Sequence, residues 1–498
     1  MKRLLILTFL IAFTSLSFAK PVSEATAKTV AQNFLANQFP DIQGDFTLAY
    51  EAYLPKSGAL TTIPQAASFY VFNVEDKGFV IVSGDDRTIP ILAFSNEKGF
   101  VSKNLSPEVG YMLDNYTNKI DYIVKNNISA TQTISAEWDG LINNTMPQPK
   151  TDATSVHPMF NTMWNQFPYY NNDCPFNYSD AERTVTGCVA TAMAQVMKYW
   201  NWPVAGTGKN SYLTADYGLL SANFGATTYD WDSMPVQLTE YNNSSSIATL
   251  MYDCGIAVDM SYGVASADGS GAWVIYPNNG NTKFCAENAL KNNFGYSTGI
   301  EGYQRVNYSD GTWLALLVAE INGGRPIIYS GYEPQSAGGG GHCFDFDGYI
   351  INSINTYFHV NWGWGGYDDG NFTIDMLNPG TGGAGAGSGT FDLYEEAIMG
   401  IQPPPSYFTT GIENIPSAGN VNIYPNPAKG YTIANLSGFN GVAQQLNLLS
   451  MDGRVVYSTT VENNNNIEIN TSNITDGVYI VQILTDKGIL NSKLVVTK

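Results

Sequence analysis

All five cysteines (Cys174, Cys188, Cys254, Cys285, Cys343) and all three histidines (His157, His342, His359) of this 498-residue chain lie between positions 157 and 359. Any chemistry that needs a thiolate, an imidazole or a soft metal ligand must therefore be built from one central stretch, and the flanks must serve other ends. At roughly 150 residues per domain, the length allows about three folding units. The odd number of cysteines leaves at least one thiol outside any intramolecular disulfide.

The flanks indicate the compartment. Residues 1–19 open with Lys2 and Arg3, run apolar from Leu4 to Phe13 and close on Ser17-Phe18-Ala19, the pattern of a secretory signal peptide. The run is too short to span a bilayer. No later stretch of about 18 apolar residues follows, so the mature protein is expected to have no transmembrane segment. A net charge of −20 would repel phosphate backbones and excludes nucleic acid as a partner. Charged residues make up 14% of the chain, against about 25% in ordinary domains, so the polar surface must come from Asn, Ser, Thr, Tyr and Gly.

Residues 20–150 carry a helical stripe, Ala27, Val30, Ala31, Phe34 and Leu35, followed by two strand-like runs, "SFYVFNV" and "GFVIVSG", across the turn Glu75-Asp76-Lys77. This α+β leader holds neither Cys nor His. Such a segment suits a propeptide that chaperones or inhibits the central domain, or a plain structural domain. The polar stretch from Met146 to Lys150 marks a boundary open to processing. At the other end, Pro403-Pro404-Pro405 begins a linker over 403–410. Beyond it, residues 411–498 alternate strand-like runs (Val421 to Tyr424, Gln444 to Leu449, Gly477 to Leu484, Ile489 to Thr497) with turn signals, as in a small β-sandwich.

The central segment, 151–402, offers no C-x-x-C and no H-x-x-x-H pair, so no metal site is expected. Gly206-Thr207-Gly208-Lys209 is followed by Asn210 where a phosphate loop needs Ser or Thr, and is read as a turn. Cys188 stands apart. Val189, Ala192, Met193, Val196, Met197 and Trp200 form the apolar stripe of a helix that Asn201-Trp202-Pro203 ends. Cys188 thus falls at the helix N-terminus, where unpaired amides and the helix dipole favour the thiolate. A thiolate nucleophile needs a base. His342 follows a run of four glycines and opens the strand "HCFDFDGY"; His359 lies inside "TYFHVNW", where a histidine is more often a packing residue, so His342 leads. Asp345 and Asp347 stand at odd offsets from His342, on the opposite face of an ideal strand.

The strings "TGCVATAMAQVMKYWNWP", "MSYG", "GHCFDFDGY", "FHVNWGWGG" and "PGTGGAGAGSGTFD" resemble streptopain-like cysteine peptidases, a papain-clan family of secreted zymogens. "SFYVFNVEDKGFVIVSGDDRTIPILAFS" is similar to that family's inhibitory propeptide. "YPNPA", "MDGRVVY", "GVYIVQI" and "KLVVTK" resemble the C-terminal sorting domain of the type nine (Por) secretion system. The resemblance implies Cys188 as nucleophile, His342 as general base and acid, and Gln166 as the side-chain donor of the oxyanion hole. His342 follows Cys188 by 154 residues, slightly beyond the roughly 130–150 of papain-like enzymes. Those enzymes orient the histidine with Asn in N-x-W-G. Here Asn361-Trp362-Gly363-Trp364-Gly365 aligns either on Trp364-Gly365, which puts Trp362 in the Asn place, or on Asn361, which breaks the spacing. Trp364 is alternatively a shield of the Cys–His pair from water. The Gly-rich loop from Pro379 to Gly389 is expected beside the cleft.

The expectation is thus an α+β protein: a papain-like catalytic domain with an α+β propeptide and a C-terminal all-β sandwich. It would hydrolyse peptide bonds in protein or peptide substrates through an acyl-enzyme, without metal or organic cofactor. Its partners would be its own propeptide and the type nine secretion machinery, with export through the periplasm to the medium or cell surface. The alternatives are a non-catalytic adhesin on a peptidase scaffold and a transglutaminase-like thiol acyltransferase. Cys174, Cys254, Cys285 and Cys343 could form two disulfides in any of three pairings or remain buried thiols; Cys343 is expected to point into the core.

Overall fold

The computed structural model describes residues 21–55, 65–145, 155–267, 269–276, 283–332, 341–352, 355–374, 395–409, 421–437, 439, 441–450, 455–461, 466–485 and 488–497. The signal peptide, the boundary at 146–150 and the Gly-rich loop at 379–389 lie outside the described residues. The chain divides into two compact units.

The first unit contains α1 (Glu24–Gln38), the strands β1 (Phe46–Tyr53), β2 (Ala67–Val74), β3 (Phe79–Ser83) and β4 (Ile91–Ser95), most of α2 (Pro107–Lys125), and α3 (Gln132–Ile142). The strands pair antiparallel in chain order. β3 and β4 are buried along their whole length, which is why they appear in the sequence as continuous apolar runs rather than as alternation. The buried residues of α1 are Ala27, Val30, Ala31, Phe34 and Leu35, the stripe read from the sequence. Ser23 caps this helix, accepting from the Thr26 amide.

The second unit takes in the start of α2 (Lys103–Met112) and everything from β5 (Ser155–Val156) onward among the described residues. Two hairpins, β6 (Phe176–Asn177) with β7 (Glu182–Arg183) and β8 (Asn210–Thr214) with β9 (Gly218–Ala222), flank α4 (Cys188–Trp200) in sequence. Gly206 to Lys209 leads directly into β8 with no helix behind it, consistent with a turn. After α5 (Ser245–Ala257) and α6 (Ala286–Asn292) come β10 (Glu301–Gln304), α7 (Asp310–Asn322), β11 (Ile327–Tyr332), β12 (Gly341–Ile351), β13 (Thr356–Asn361), β14 (Gly370–Phe372), β15 (Glu396–Met399) and the short α8 (Pro405–Thr409). These strands form an antiparallel sheet in the order β14-β13-β12-β11-β15-β10, with β5 on the far end of β12.

In α4, Val189 to Met197 are all buried, so this helix runs through the core rather than along its surface. The sequence stripe gave its position but understated its burial. Ile247, Leu250 and Met251 of α5 share that core with Met193, Val196 and Met197.

The C-terminal strands β16 (Asn422–Lys429), β17 (Tyr431–Asn435), β18 (Ala443–Ser450), β19 (Val455–Thr460), β20 (Asn466–Asn470), β21 (Gly477–Thr485) and β22 (Gly488–Val496) surround a separate core that includes Leu446, Leu448, Ile469, Val481, Ile483 and Leu494. β16 pairs antiparallel with β17 from Asn422 to Tyr424 and again at Lys429, and parallel with β22 at Ala428. Pro425 and Pro427 lie in the gap between the two stretches paired with β17; they lack the N–H a ladder needs, so that ladder is interrupted there. β17, β19 and β20 were not foreseen from the sequence.

Candidate active site

Gly187, with φ +87°, leads into α4. A Cβ at Gly187 would fall 2.8 Å from the Met260 thioether and 3.0 Å from the Ser270 carbonyl oxygen, so only glycine fits this entry. The geometry delivers Cys188 at the first helical position, where its sulfur accepts hydrogen bonds from its own amide and that of Val189. A third comes from the amide of Cys343 on β12, next to His342. The α4 start and the opening of β12 are thereby joined at the sulfur.

The expected activation of this thiol is reversed in the structure. The three amides do favour the thiolate, but burial outweighs them and the nearby Glu108 charge adds to burial, so the Cys188 pKa is pushed up to about 12. Glu108 sits in the first turn of α2, in the sequence Ser106-Pro107-Glu108, where Ser106 Oγ accepts from the Val109 amide. The residue is 2% exposed. It takes the indole N–H of Trp364 and is hydrogen-bonded by Ser106, Gln166 and its own backbone. Burial lifts its pKa from 4.5 to about 7 against the pull of those bonds.

Gln166 is buried, its amide N–H donating to Asn165 Oδ1 and its carbonyl accepting from the Thr186 amide beside Gly187. This fixes its backbone against the α4 entry. The His342 ring packs on the ring of Tyr111, one turn along α2 from Glu108, with centroids 5.2 Å apart and planes at 31°. Gly331, directly across from His342 on β11, makes room for Tyr111: a Cβ there would lie 2.2 Å from the Tyr111 hydroxyl oxygen.

Asn361, Trp362 and Trp364 occupy three different environments. Asn361 Nδ2 donates to the Thr162 carbonyl at 3.0 Å, and its Oδ1 accepts from Gln195 Nε2 at 2.9 Å and the Gly363 amide at 3.0 Å. Gln195 also donates to Asp345 at 3.3 Å. Burial, with the charges of Asp347 and Asp369, raises the Asp345 pKa well above the carboxylate range. Asn361 thus pins the turn that carries Trp364. Trp362 is a core residue, its ring against Phe344 and Phe372 and its N–H on the Asp368 carbonyl. Trp364 stands edge to face with Phe167 at 5.9 Å. His359 is the packing histidine expected, 2.6 Å from Asp347. All five cysteines are free thiols. Cys343 is in the core as expected, and Cys254 lies 3.6 Å from the Met197 sulfur. Among the described residues, no cluster of His, Cys, Asp and Glu could hold a metal ion.

Sequence reasoning missed Glu108, Tyr111 and Gln195. A signal for the first two is present, since Ser-Pro-Glu is a helix start, but it lies outside the segment that holds the histidines.

Residues 164–372 match the Peptidase C10 family, residues 19–120 the Spi protease inhibitor, and residues 422–497 the secretion system C-terminal sorting domain. The chain is 32% identical to streptopain of Streptococcus pyogenes over 350 residues, covering 68% of this chain and 81% of streptopain. The chain belongs to the Peptidase C10 family. It is a cysteine-type peptidase with an inhibitor-like propeptide domain and a sorting tail that marks it for export, to secretion or the cell surface. It is also 28% identical to the thiol protease/hemagglutinin PrtT of Porphyromonas gingivalis over 395 residues, 77% of this chain and 42% of that one. A structure of a prointerpain A fragment from Prevotella intermedia superposes with a TM-score of 0.53 at 30% identity, covering 71% of this chain and 98% of the fragment. The papain-like α+β fold expected from the motifs is the fold observed.

Proposed function

We propose that this C10 peptidase is a secreted endopeptidase made as a zymogen, with residues 20–150 removed on maturation and 411–498 serving type nine export after passage through the periplasm. Cys188 is the nucleophile, His342 its base and acid, and the Gln166 amide with the Cys188 backbone N–H the oxyanion donors. The thiolate attacks the scissile carbonyl carbon, and the two donors stabilise the charge on its oxygen. The His342 imidazolium then protonates the leaving amine as the C–N bond breaks, and water, deprotonated by His342, hydrolyses the thioester to a carboxylic acid. The observation that carries this reading is the hydrogen bond from the Cys343 amide to the Cys188 sulfur, which brings the α4 thiol to the strand residue beside His342. Asn361 supports the reading through the Gly363 turn, and Trp364 through its place at the same carboxyl as Gln166.

The test is hydrolysis of a blocked peptide by protein from which residues up to about 150 have been removed. Cys188→Ala is expected to lower kcat/KM at least about 10⁴-fold, and product masses are expected to show hydrolysis rather than acyl transfer to an amine. Undiminished cleavage by Cys188→Ala would refute the assignment.

A further inference from the structure

Gln166 and Trp364 aim their N–H groups at one place, and in this chain a carboxyl group already fills it. That group comes from the leader, on a helix whose Ser106 cap and Pro107 fix its first turn. Oxyanion donors must bind a negatively polarised oxygen, and a carboxyl oxygen is the side-chain group that most resembles it. Glu108 therefore stands where the carboxyl end of a cleaved peptide would stand. Three residues on, Tyr111 covers the His342 ring. One helix turn thus engages oxyanion donor, tryptophan and base together.

We propose that Gln166 and Trp364 form a seat for a carboxylic acid, that Glu108 fills it in the precursor as a latch, and that the latch takes up a proton when it closes, so that it holds in acid and loosens toward neutral pH. This rests on the roles proposed for Gln166 and Cys188 in the peptidase reaction.

The sign follows from linkage. Released into water the Glu108 carboxyl has its ordinary pKa, and seated it has one near 7. Below about 4.5 both states are protonated and seating has no protonation cost. Between about 4.5 and 7 the released form loses its proton first, so seating weakens up to tenfold per pH unit. Above about 7 both are ionised and the loss is complete. The rise from 4.5 to about 7 caps the effect at about 300-fold. The titratable groups facing Glu108 are the Cys188 thiol from α4 and the Cys343 thiol from β12. Both are raised by burial and stay neutral across this window. The His342 ring packs on Tyr111 rather than on Glu108, and a variant at Glu108 separates its contribution.

The experiment uses the full chain. Precursor and matured enzyme are pulsed with iodoacetamide from pH 4.5 to 8.5, and label on Cys188 is read by mass spectrometry, using uncleaved chains only for the precursor. The protection ratio is the labelling rate of the matured enzyme over that of the precursor at the same pH. In the wild type the ratio is expected to fall by up to about 300-fold between pH 4.5 and 7 and then level off. Glu108→Gln, neutral at every pH and still able to hydrogen-bond, is expected to keep high protection with no such fall. Glu108→Ala is expected to lower protection at pH 4.5. A wild-type ratio flat with pH, or a Glu108→Gln ratio that falls like the wild type, would overturn the latch. Protection at Cys188 reads the seat whether or not Cys188 hydrolyses peptides, and peptidase activity of Cys188→Ala tests that separately, so the two failures are distinguishable.

Discussion

Two helix starts carry the acids of this site, and both depart from what a helix start ordinarily does. α4 begins at Cys188 behind a glycine that offers no side-chain cap, and α2 begins at Pro107 behind a serine that does. Each places an ionisable group in its first turn, where amides and dipole favour the anion. Yet in each, burial wins: Cys188 is pushed up to about 12 and Glu108 to about 7. A helix N-terminus on an exposed surface is worth about 0.3–1 kcal/mol, whereas desolvation can shift a pKa by several units. In this structure, therefore, a helix start does not by itself prepare a reactive thiol. The two groups also burden one another, since the Glu108 charge is the second cause of the raised Cys188 pKa.

The largest effect is expected at Gln166, the partner of Glu108 proposed to serve Cys188 as well. Gln166→Ala removes one N–H from the Glu108 carboxyl and, on the proposed mechanism, one oxyanion donor of the matured enzyme. A lost oxyanion donor costs about 10²–10³ in kcat. Steady-state kinetics on the matured variant are expected to show that loss with KM little changed, because the charge the amide stabilises develops only in the transition state. An unchanged kcat would move Gln166 out of the catalytic set.

A smaller effect tests the glycine before α4. Gly187→Ala places a methyl group 2.8 Å from Met260 at a backbone φ of +87°. Strain of this kind costs about 1–3 kcal/mol. Thermal unfolding of the full chain is expected to shift down by several degrees. Met260→Ala added to Gly187→Ala should recover the steric share of the loss and leave the backbone share.

The two starts were not equally legible in the sequence. α4 showed itself because a helix crossing a core must repeat its apolar residues, and the stripe from Val189 to Trp200 gave its limits. α1 and the β2–β3 hairpin were legible for the same reason. Glu108 was not, because its meaning lies in contacts with Gln166 and Trp364, residues far along the chain whose convergence no local pattern encodes. Trp362 and Trp364 share a motif two residues apart, yet one fills the core and the other meets a carboxyl; the turn that Asn361 and Gly363 make separates them. In the sandwich, β18, β21 and β22 were legible as strand-like runs between turn signals. β20, with Asn466, Glu468 and Asn470 exposed around only two buried isoleucines, was too short and polar to stand out.

The smallest effect concerns the cap itself. Ser106 Oγ accepts from the Val109 amide at 3.2 Å and is also hydrogen-bonded to the Glu108 carboxyl, so one hydroxyl both starts α2 and steadies its acid. Removing a serine N-cap costs about 1 kcal/mol. If that cost falls on the seated state, Ser106→Ala should lower the protection of Cys188 in the precursor about fivefold at acid pH. Activity of the matured enzyme, from which the leader has been cut, should not move. α4 supplies the control: Gly187 makes no side-chain cap bond, so nothing equivalent can be removed there, and its start depends on backbone geometry alone. Equal protection in Ser106→Ala and wild type would mean that Glu108 is held by Gln166 and Trp364 without help from its own helix.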